Sequence, residues 1–235
     1  GPRPQDAAMS AAEAFSAQLA AAAADAGLTV APGVSRVPAG TGDGGTRVLA
    51  EVQSATVGQQ VDLLLRTSDN YLTEAIGRMA ALAAGQPGSN DGAVAAVLQQ
   101  VEELNIPSAT LRAADVSGLA LANQVSARQL SEVVRTMTSG ADPRLRAGLA
   151  GFPVAGLTGT LGDRYVDDAA TAAGAGLVRA KTGTLNTVIA LSGYVVDADG
   201  RLLVFSFIGN GLTPGAGNKA ALDRTASVLA GCGCR

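Results

Sequence analysis

The fold is decided by residues 177–208, which read LVRAKTGTLNTVIALSGYVVDADGRLLVFSFI. Three runs in this stretch, residues 177–182, 187–196 and 201–208, are rich in β-branched and aromatic residues and therefore predict strands. The last two runs are separated by DADG, and Asp-Gly between such runs is a strong hairpin signal. A calcium loop is a poor alternative there, because the remaining ligand positions are absent. The stretch predicts an antiparallel sheet.

Helices on both sides of this stretch complete an α+β plan. Apolar residues recur at helical spacing in several segments before the sheet. These segments are residues 5–26, 57–66, 72–82, 94–104 and a helix from Ser126, where Ser126 and Gln129 fit a capping box. A final amphipathic helix over residues 217–229 is expected to cover one face of the sheet. Residues 28–37 and 47–52 are predicted to be short strands around a glycine-rich, flexible loop over residues 39–46.

The composition limits which catalytic groups and which classes of ligand the protein can use. The chain has 235 residues, 47% of them apolar, with a formal charge of −3 and no histidine. Without histidine, Ser-His-Asp and Cys-His catalysis and most zinc sites are excluded, so any base must be Lys, Asp, Glu or Tyr. No block of basic residues occurs, which argues against nucleic acid or an anionic membrane surface as partner. We expect a small-molecule ligand.

The only cysteines, Cys232 and Cys234, lie one residue apart near the end of the chain. This spacing is too close for an ordinary unstrained disulfide across the fold. Metal binding would need further ligands nearby, and none is evident in the sequence. We interpret the two residues as part of a tail without a catalytic role.

Two short motifs carry the chemical signal. Ser68-Asp69-Asn70 lies at a predicted helix start, and KTGT, residues 181–184, lies at the end of a predicted strand. Each motif is weak alone, since Ser, Asp and Asn commonly cap helices and a lysine before a turn is usually only solvated. In this order, however, they match the second and third motifs of the set S-x-x-K, S-D-N and K-T-G of penicillin-interacting serine enzymes.

Further stretches extend this match, and residues 50–235 resemble the penicillin-binding protein 4 type of D-alanyl-D-alanine carboxypeptidase. The stretches are DVSGL at 115–119 with Asn123, GTL at 159–161 with Arg164, and VRA at 178–180. Val116 departs from the pattern, since the family usually has glycine there. The resemblance implies a penicillin-binding, β-lactamase-like transpeptidase domain, an antiparallel sheet flanked by helices. Residues 1–55 are then the junction with an inserted module, and residues 56–235 are the C-terminal part of the catalytic domain.

The resemblance also implies roles for the motif residues. Ser68 relays a proton towards the leaving amine, and Asn70 hydrogen-bonds the substrate amide, while Asp69 braces the turn. Lys181 supplies positive charge beside Ser68. The other three residues of the motif bind substrate: Thr182 and Thr184 donate hydroxyl hydrogen bonds to the terminal carboxylate and Gly183 keeps the strand edge open. For Asp115, Ser117 and Arg164, a packing or turn role is slightly favoured over substrate contact.

The first motif, S-x-x-K, is absent from these 235 residues. The only lysines are Lys181 and Lys219, and the residues three places before them are Val178 and Ala216. In this family S-x-x-K lies far upstream, separated from Ser-Asp-Asn by inserted domains. The domain is therefore expected to be incomplete without an N-terminal half that carries the nucleophile, and the chain to be inactive alone.

The parent activity implied is that of a serine D,D-carboxypeptidase, and also an endopeptidase, without metal or other cofactor. Its partners would be peptidoglycan stem peptides and β-lactams, outside the cytoplasmic membrane, and not nucleic acid.

Two alternatives stay open. A class A β-lactamase shares all three motifs, but it places S-x-x-K only a short, mostly helical stretch before Ser-Asp-Asn. Residues 1–67 contain no such motif and include predicted strands, which counts against that class. The other alternative is a noncatalytic module that keeps the groove to hold peptidoglycan stems or a partner protein. Upstream sequence would discriminate, because S-x-x-K there restores the enzyme.

Overall fold

The structure is a computed structural model in which residues 4–38 and 48–233 are described. The chain divides into two units, Gly1–Gln53 and Ser54–Arg235. The division falls close to the predicted domain boundary. The interpretation of the first unit as a junction with an inserted module stays a prediction.

The first unit contains one long helix, α1 (Ala7–Asp25). Its N-cap is Asp6, whose carboxylate accepts a 3.0 Å hydrogen bond from Met9 N and also forms an ion pair with Arg36. Gly27 follows the helix with a φ of +71°, the left-handed conformation that favours glycine. The predicted helix and its glycine stop are therefore confirmed.

The strands predicted on either side of the glycine-rich loop are wrong. Residues 28–37 and 48–52 have no regular secondary structure, and the loop over 39–46, with Arg47, lies outside the described residues. A strand requires a neighbouring strand to pair its N–H and C=O groups. Within the described ranges the only sheet consists of three strands of the second unit, and none of them pairs with these segments.

Helices make up the first half of the second unit. Those before the sheet are α2 (Val57–Thr67), α3 (Asn70–Ala83), α4 (Asn90–Glu103), α5 (Ala127–Thr138) and α6 (Pro143–Ala147). Short 3₁₀ turns follow at Gly148–Gly151, Gly159–Leu161 and Ala172–Gly174. The predicted capping box begins α5, where Ser126 Oγ accepts from Gln129 N at 3.2 Å and the Gln129 side chain accepts from Ser126 N at 2.8 Å.

The predicted antiparallel sheet is confirmed. It consists of β1 (Arg179–Thr184), β2 (Ile189–Val196) and β3 (Leu202–Gly209) in the order β1-β2-β3. The hairpin between β2 and β3 turns at Gly200, with a φ of +79°. Strand β1 begins and ends two residues later than the sequence pattern indicates, because Gly183 and Thr184 pair with Ala190 and Ile189.

The closing helix, α7 (Ala216–Ala230), packs on β2 and β3. The core of the second unit lies between this helix and one face of the sheet. It includes Leu191, Val195, Phe205, Ala226 and Ala230. Because side chains alternate across a strand, the opposite face of the sheet presents Lys181, Gly183, Ala190, Ser192, Ser206 and Ile208.

Cys232 takes part in a disulfide, so the spacing argument against a bridge is wrong for this residue, and Cys234 lies outside the described residues.

In the described part of the chain, every helix is too short or too polar to cross a bilayer.

At Gly193 in β2, the backbones of β1 and β2 lie too close together for a side chain. A Cβ atom at this position would lie 2.0 Å from Arg179 O and 2.6 Å from Ala180 Cα. Because both contacts are with the neighbouring strand, Gly193→Ala must push β1 away and should destabilise the protein by about 3 kcal/mol, as measured by urea unfolding. The matched control is Gly217→Ala in α7, where the added methyl group meets no atom within 4 Å; we expect it to stabilise by about 0.5 kcal/mol. A Gly193→Ala protein as stable as wild type would contradict this account of the strand pairing.

Candidate active site

The connection between α2 and α3 presents Ser68. This residue ends α2 in a left-handed conformation, with φ 57° and ψ 47°, which is uncommon for a residue with a side chain. Asp69 N bonds back to Leu64 O at 3.1 Å, and the Asp69 carboxylate accepts from Leu72 N at 3.0 Å as the N-cap of α3. Asn70 is then the first residue of α3. The sharp turn is held from both sides, and Asp69 braces it as expected.

Strand β1 brings Lys181 to this turn. Lys181 Nζ donates one hydrogen bond to Ser68 Oγ at 2.7 Å and another to the carbonyl oxygen of Thr182 at 2.7 Å. Burial disfavours the charged form, so the pKa of the Lys181 ammonium group lies below its usual value of 10.5. The result is a half-buried cation in direct contact with a serine hydroxyl.

The outer edge of β1 is open at the motif. Ala180 N donates to Pro153 O at 3.0 Å on the side away from β2. Since the direction of backbone N–H and C=O groups alternates along an antiparallel strand, Thr182 and Thr184 also direct these groups outward. The bond from Lys181 Nζ to Thr182 O agrees with this alternation. The N–H of Thr184 therefore faces the same space as Ser68 and Lys181.

A short 3₁₀ turn fixes the hydroxyl of Thr182. Thr160, in the turn Gly159–Leu161, shares a 2.8 Å hydrogen bond between its Oγ1 and that of Thr182. The turn lies close against α2, since a Cβ atom at Gly159 would be 2.5 Å from Arg66 O. Thr182 can accept a hydrogen bond from Thr160 and still donate its own proton to a ligand.

The loop over residues 114–123 forms a wall of the same space, and Asp115 holds it together. The Asp115 carboxylate accepts from Gly118 N at 2.9 Å, Ala120 N at 2.7 Å and Asn123 Nδ2 at 2.7 Å. Burial acts to raise the pKa of Asp115, but the hydrogen bonds from Asn123, Ala120 and Gly118 outweigh it, so the pKa lies below 3.8. Asp115 thus has the turn role that the sequence favoured.

Glu74 joins this wall to α3. Its Oε1 accepts from Val116 N at 3.1 Å and Ser117 N at 2.9 Å, although the residues are 42 and 43 positions apart. The side chain of Val116 also lies against Gly77, because a Cβ atom at Gly77 would be only 2.7 Å from Val116 Cγ2. Gly77 therefore provides the space for valine at a position where the family usually has glycine.

Arg164 connects the opposite side to α7. Its guanidinium group forms a two-pronged ion pair with Asp223, with Nε to Oδ2 at 2.9 Å and Nη2 to Oδ1 at 2.5 Å. Both side chains are largely buried, being 20% and 7% exposed. The charge of Arg164 is therefore compensated within the fold, in accord with the packing role favoured for it.

These elements enclose one cleft of about 1100 Å³ within the second unit. All six residues predicted to act or bind line it: Ser68, Asn70, Lys181, Thr182, Gly183 and Thr184. The charged residues that line the cleft are Arg164, Lys181 and Lys219, and no Asp or Glu of the described residues is among the lining. A protein with a formal charge of −3 thus has a cationic cleft.

Sequence reasoning did not single out Glu74 or Thr160 as individual functional residues, nor Lys219. A signal for Glu74 was present, since it lies four residues after Asn70, and such residues share a helix face. No pattern in the sequence indicated that Lys219 belongs to the cleft, because α7 reaches it only through the fold.

A Ser-Asp-Asn turn opposite a Lys-Thr-Gly strand edge, on an antiparallel sheet flanked by helices, defines the class of penicillin-binding and β-lactamase-like proteins. Within that class, the D-Ala-D-Ala carboxypeptidase 3 (S13) family matches residues 3–230, and the chain belongs to this family. The predicted resemblance and fold class are confirmed. The class A β-lactamase alternative is not favoured.

Relatives and solved structures agree with this assignment. The chain is 41% identical over 210 residues to Carboxypeptidase DacB of Mycolicibacterium smegmatis, covering 89% of this chain and 45% of that protein. It is 39% identical over 216 residues to Carboxypeptidase Rv3627c of Mycobacterium tuberculosis, covering 90% and 46%. The structure of penicillin binding protein 4 (dacB) from Haemophilus influenzae, complexed with a β-lactam, superposes with a TM-score of 0.61 at 26% identity, covering 73% and 40%. The chain thus spans less than half the length of these proteins.

Glu74 provides a test of how the cleft wall is held. In Glu74→Ala, the N–H groups of Val116 and Ser117 lose their acceptor, so we expect a loss of about 2 kcal/mol in the free energy of unfolding and faster hydrogen exchange at both amides. Glu74→Gln is the control, because its side-chain oxygen can still accept both bonds. Unchanged exchange at Val116 and Ser117 in Glu74→Ala would show that the carboxylate does not hold this loop.

Proposed function

We propose that the protein is a serine-type D-Ala-D-Ala carboxypeptidase and endopeptidase that cleaves peptidoglycan stem peptides through an acyl-enzyme. The observation that carries the proposal is the 2.7 Å hydrogen bond from Lys181 Nζ to Ser68 Oγ in a cationic cleft. The nucleophilic serine and its lysine base belong to an S-x-x-K segment outside these 235 residues. Residues 56–235 then form the C-terminal part of the catalytic domain, which acts only together with that segment.

In the acylation step, the nucleophilic serine attacks the carbonyl carbon between the two D-alanines. Its proton passes to the lysine of S-x-x-K, because a weak nucleophile requires an adjacent base. The C–N bond then breaks as the serine ester forms, and Ser68 delivers its hydroxyl proton to the departing amine while it takes up the proton held by the S-x-x-K lysine. Lys181 supports this relay, since its ammonium group donates to Ser68 Oγ and leaves the hydroxyl proton directed elsewhere. Water hydrolyses the ester and regenerates the serine.

Charge on the carbonyl oxygen is stabilised by backbone N–H groups. The outward direction of the Thr184 N–H at the open edge of β1 supports a place in an oxyanion hole, together with the N–H of the nucleophilic serine. One such donor typically contributes about 3 kcal/mol to transition-state stabilisation. Gly183 has no side chain to obstruct this edge, which favours close approach of the substrate.

Three side chains position the substrate. Asn70 lines the cleft, and among the described residues its amide group has no hydrogen-bond partner, so it can bind the substrate amide. The hydroxyls of Thr182 and Thr184 donate to the terminal carboxylate, and Lys181 adds positive charge nearby. Thr160 orients the Thr182 hydroxyl for this purpose.

The same groups recognise a β-lactam, whose strained amide and carboxylate replace the terminal dipeptide. The Haemophilus influenzae penicillin binding protein 4 complex with a β-lactam supports this part of the proposal. Because peptidoglycan lies outside the cytoplasmic membrane, the protein is proposed to act there.

The first experiment is intact-protein mass spectrometry after incubation with a labelled penicillin. It compares the 235-residue chain, a version extended upstream through S-x-x-K, and the extended version with the S-x-x-K serine changed to alanine. We expect a covalent adduct only on the extended protein with its serine. Absence of an adduct on a folded extended protein would favour the noncatalytic binding module instead. In the extended protein, Ser68→Ala should slow adduct formation about 100-fold, the scale of a lost proton relay.

The lowered pKa of Lys181 predicts how acylation depends on pH. Because burial lowers this pKa, Lys181 in the folded protein loses its proton at a lower pH than the usual 10.5. If the cation is required, the rate constant for acylation by penicillin should fall on the alkaline side below pH 10.5. Lys181→Arg keeps its charge throughout this range, so any residual acylation should lose that alkaline limb. The rate is measured from pH 7 upward, and an identical limb in both proteins would assign it to another group.

A further inference from the structure

Residues 159–164 form a turn that runs from the cleft to α7. Gly162 N donates to Gly159 O at 3.0 Å, and Arg164 N donates to Leu161 O at 3.2 Å, so two overlapping backbone hydrogen bonds span the turn. The Leu161 side chain between them is fully buried. Because the two bonded segments overlap, the position of one end of the 159–164 turn depends on the position of the other.

The first end of the 159–164 turn meets the groups of the cleft. Thr160 Oγ1 lies 2.8 Å from Thr182 Oγ1, and both residues line the cleft. A Cβ atom at Gly159 would lie 2.5 Å from Arg66 O, so the turn also lies directly against α2, two residues before Ser68. At this end the turn therefore contacts both the motif strand β1 and the helix that presents Ser68.

The second end of the turn is anchored in α7. The guanidinium group of Arg164 binds the Asp223 carboxylate through Nε at 2.9 Å and through Nη2 at 2.5 Å. A two-pronged pair of this kind fixes orientation as well as distance. Tyr165 follows with a φ of +70°, a conformation that is costly for a bulky residue and that persists only where the surroundings impose it. Its side chain is buried in the core, so α7 and the core together hold this end of the turn.

The direction of the Thr182 hydroxyl proton decides which ligand groups it can bind. A hydroxyl has one proton to donate and two lone pairs that accept, so an unrestrained hydroxyl can bind a carboxylate or an amide N–H. When Thr160 donates to Thr182, one lone pair is occupied and the Thr182 proton is left for the ligand. This arrangement favours a carboxylate, which only accepts hydrogen bonds, over a carboxamide, which also brings N–H donors.

We propose that Arg164 and Asp223 are positioning residues that make cleavage selective for a leaving residue with a free carboxylate. They act through the 159–164 turn: the ion pair holds Thr160 in place, and Thr160 sets the direction of the Thr182 hydroxyl. This inference rests on the proposed function, in which Thr182 binds the terminal carboxylate. A peptide whose terminal carboxylate is converted to a carboxamide is then a poor substrate.

The test uses the full-length protein with its S-x-x-K segment and two synthetic peptides, one ending in D-Ala-D-Ala and the other in the carboxamide of D-Ala-D-Ala. The two ends have nearly the same shape and differ in one negative charge and in their N–H donors. We expect wild type to cleave the carboxylate peptide with a kcat/KM about 100-fold higher, the scale of hydrogen bonds to a charged group. A wild-type ratio near one would overturn the inference.

Variants of the ion pair assign this preference. Asp223→Asn removes the charge that orients Arg164, so the ratio of the two kcat/KM values should fall about tenfold, mainly through a higher KM for the carboxylate peptide. Arg164→Lys should cause the same loss, because lysine stays compensated by Asp223 but cannot form the two-pronged pair. It leaves no buried charge without a partner, so it decides the question if Asp223→Asn fails to fold. An unchanged ratio in Arg164→Lys would overturn the inference.

The matched control is Asp168→Asn. It makes the same chemical change in the ion pair between Asp168 and Arg224 of α7, whose Nη2 lies 2.9 Å from Asp168 Oδ2. Neither residue lines the cleft. We expect this variant to retain the wild-type ratio, and a tenfold loss in it would overturn the assignment to Asp223.

A double-mutant cycle tests whether the pair acts through Thr160. Thr160→Val removes the hydroxyl at nearly the same shape and should lower the ratio about tenfold, whereas Thr160→Ser should retain the wild-type ratio. Adding Arg164→Lys to Thr160→Val should lower the ratio no further, because the pair then has no hydroxyl to position. Losses that add would show that the pair acts on the substrate by another route, which would overturn the inference.

Binding measurements separate this inference from the proposed function. The protein with the S-x-x-K serine changed to alanine is titrated with both peptides by calorimetry, which requires no catalysis. A preference for the carboxylate peptide that weakens in Arg164→Lys supports the positioning role even if neither peptide is hydrolysed. Absence of both hydrolysis and penicillin labelling would overturn the proposed function, whereas the same ratio of affinities in wild type and Arg164→Lys would overturn the positioning role alone.

Discussion

The hydrogen bond between Lys181 Nζ and Ser68 Oγ is the contact on which the site depends. It joins residues 113 positions apart and connects the edge of the sheet to the turn between two helices. The backbone fixes both partners. Ser68 is held in a left-handed conformation between α2 and α3. Lys181 directly follows Ala180, whose N–H donates to Pro153 O at the outer edge of β1. The bond also withdraws Lys181 from solvent, and this burial lowers its pKa.

The walls of the cleft are held by side chains that bind backbone or one another across distant segments. Glu74 fixes the loop over 114–123 to α3, and Asp115 closes that loop on itself. On the other side, Arg164 and Asp223 connect the turn after Thr160 to α7. Each contact satisfies a polar group that burial would otherwise leave at a cost. The proposed catalytic groups are therefore held in place by ordinary structural hydrogen bonds and one ion pair.

Electrostatics distinguish the cleft from the rest of the molecule. The acidic residues that lie near it are turned into the fold, where Asp223 neutralises Arg164 and the carboxylates of Glu74 and Asp115 bind loop N–H groups. The ammonium groups of Lys181 and Lys219 are thereby left in the space open to a ligand. This separation of charge suits a carboxylate-bearing peptide. It arises because the hydrogen bonds that hold the cleft walls also occupy the carboxylates of Asp223, Glu74 and Asp115.

By itself, the amino-acid sequence determined the local elements and the chemical class. Periodicity predicted the helices of the second unit, the β-branched runs and Asp-Gly predicted the three-stranded sheet, and the paired motifs indicated a penicillin-binding fold, because each signal lies within a few neighbouring residues. The strand prediction for residues 28–37 and 48–52 was wrong, since strand formation depends on a distant partner that local composition cannot reveal. Only the tertiary structure decided that Glu74 holds the cleft wall, that Arg164 is neutralised by Asp223, and that Lys219 shares a cleft with Lys181. Those contacts join segments far apart in the chain, and their geometry follows from packing of the sheet and helices rather than from any local pattern.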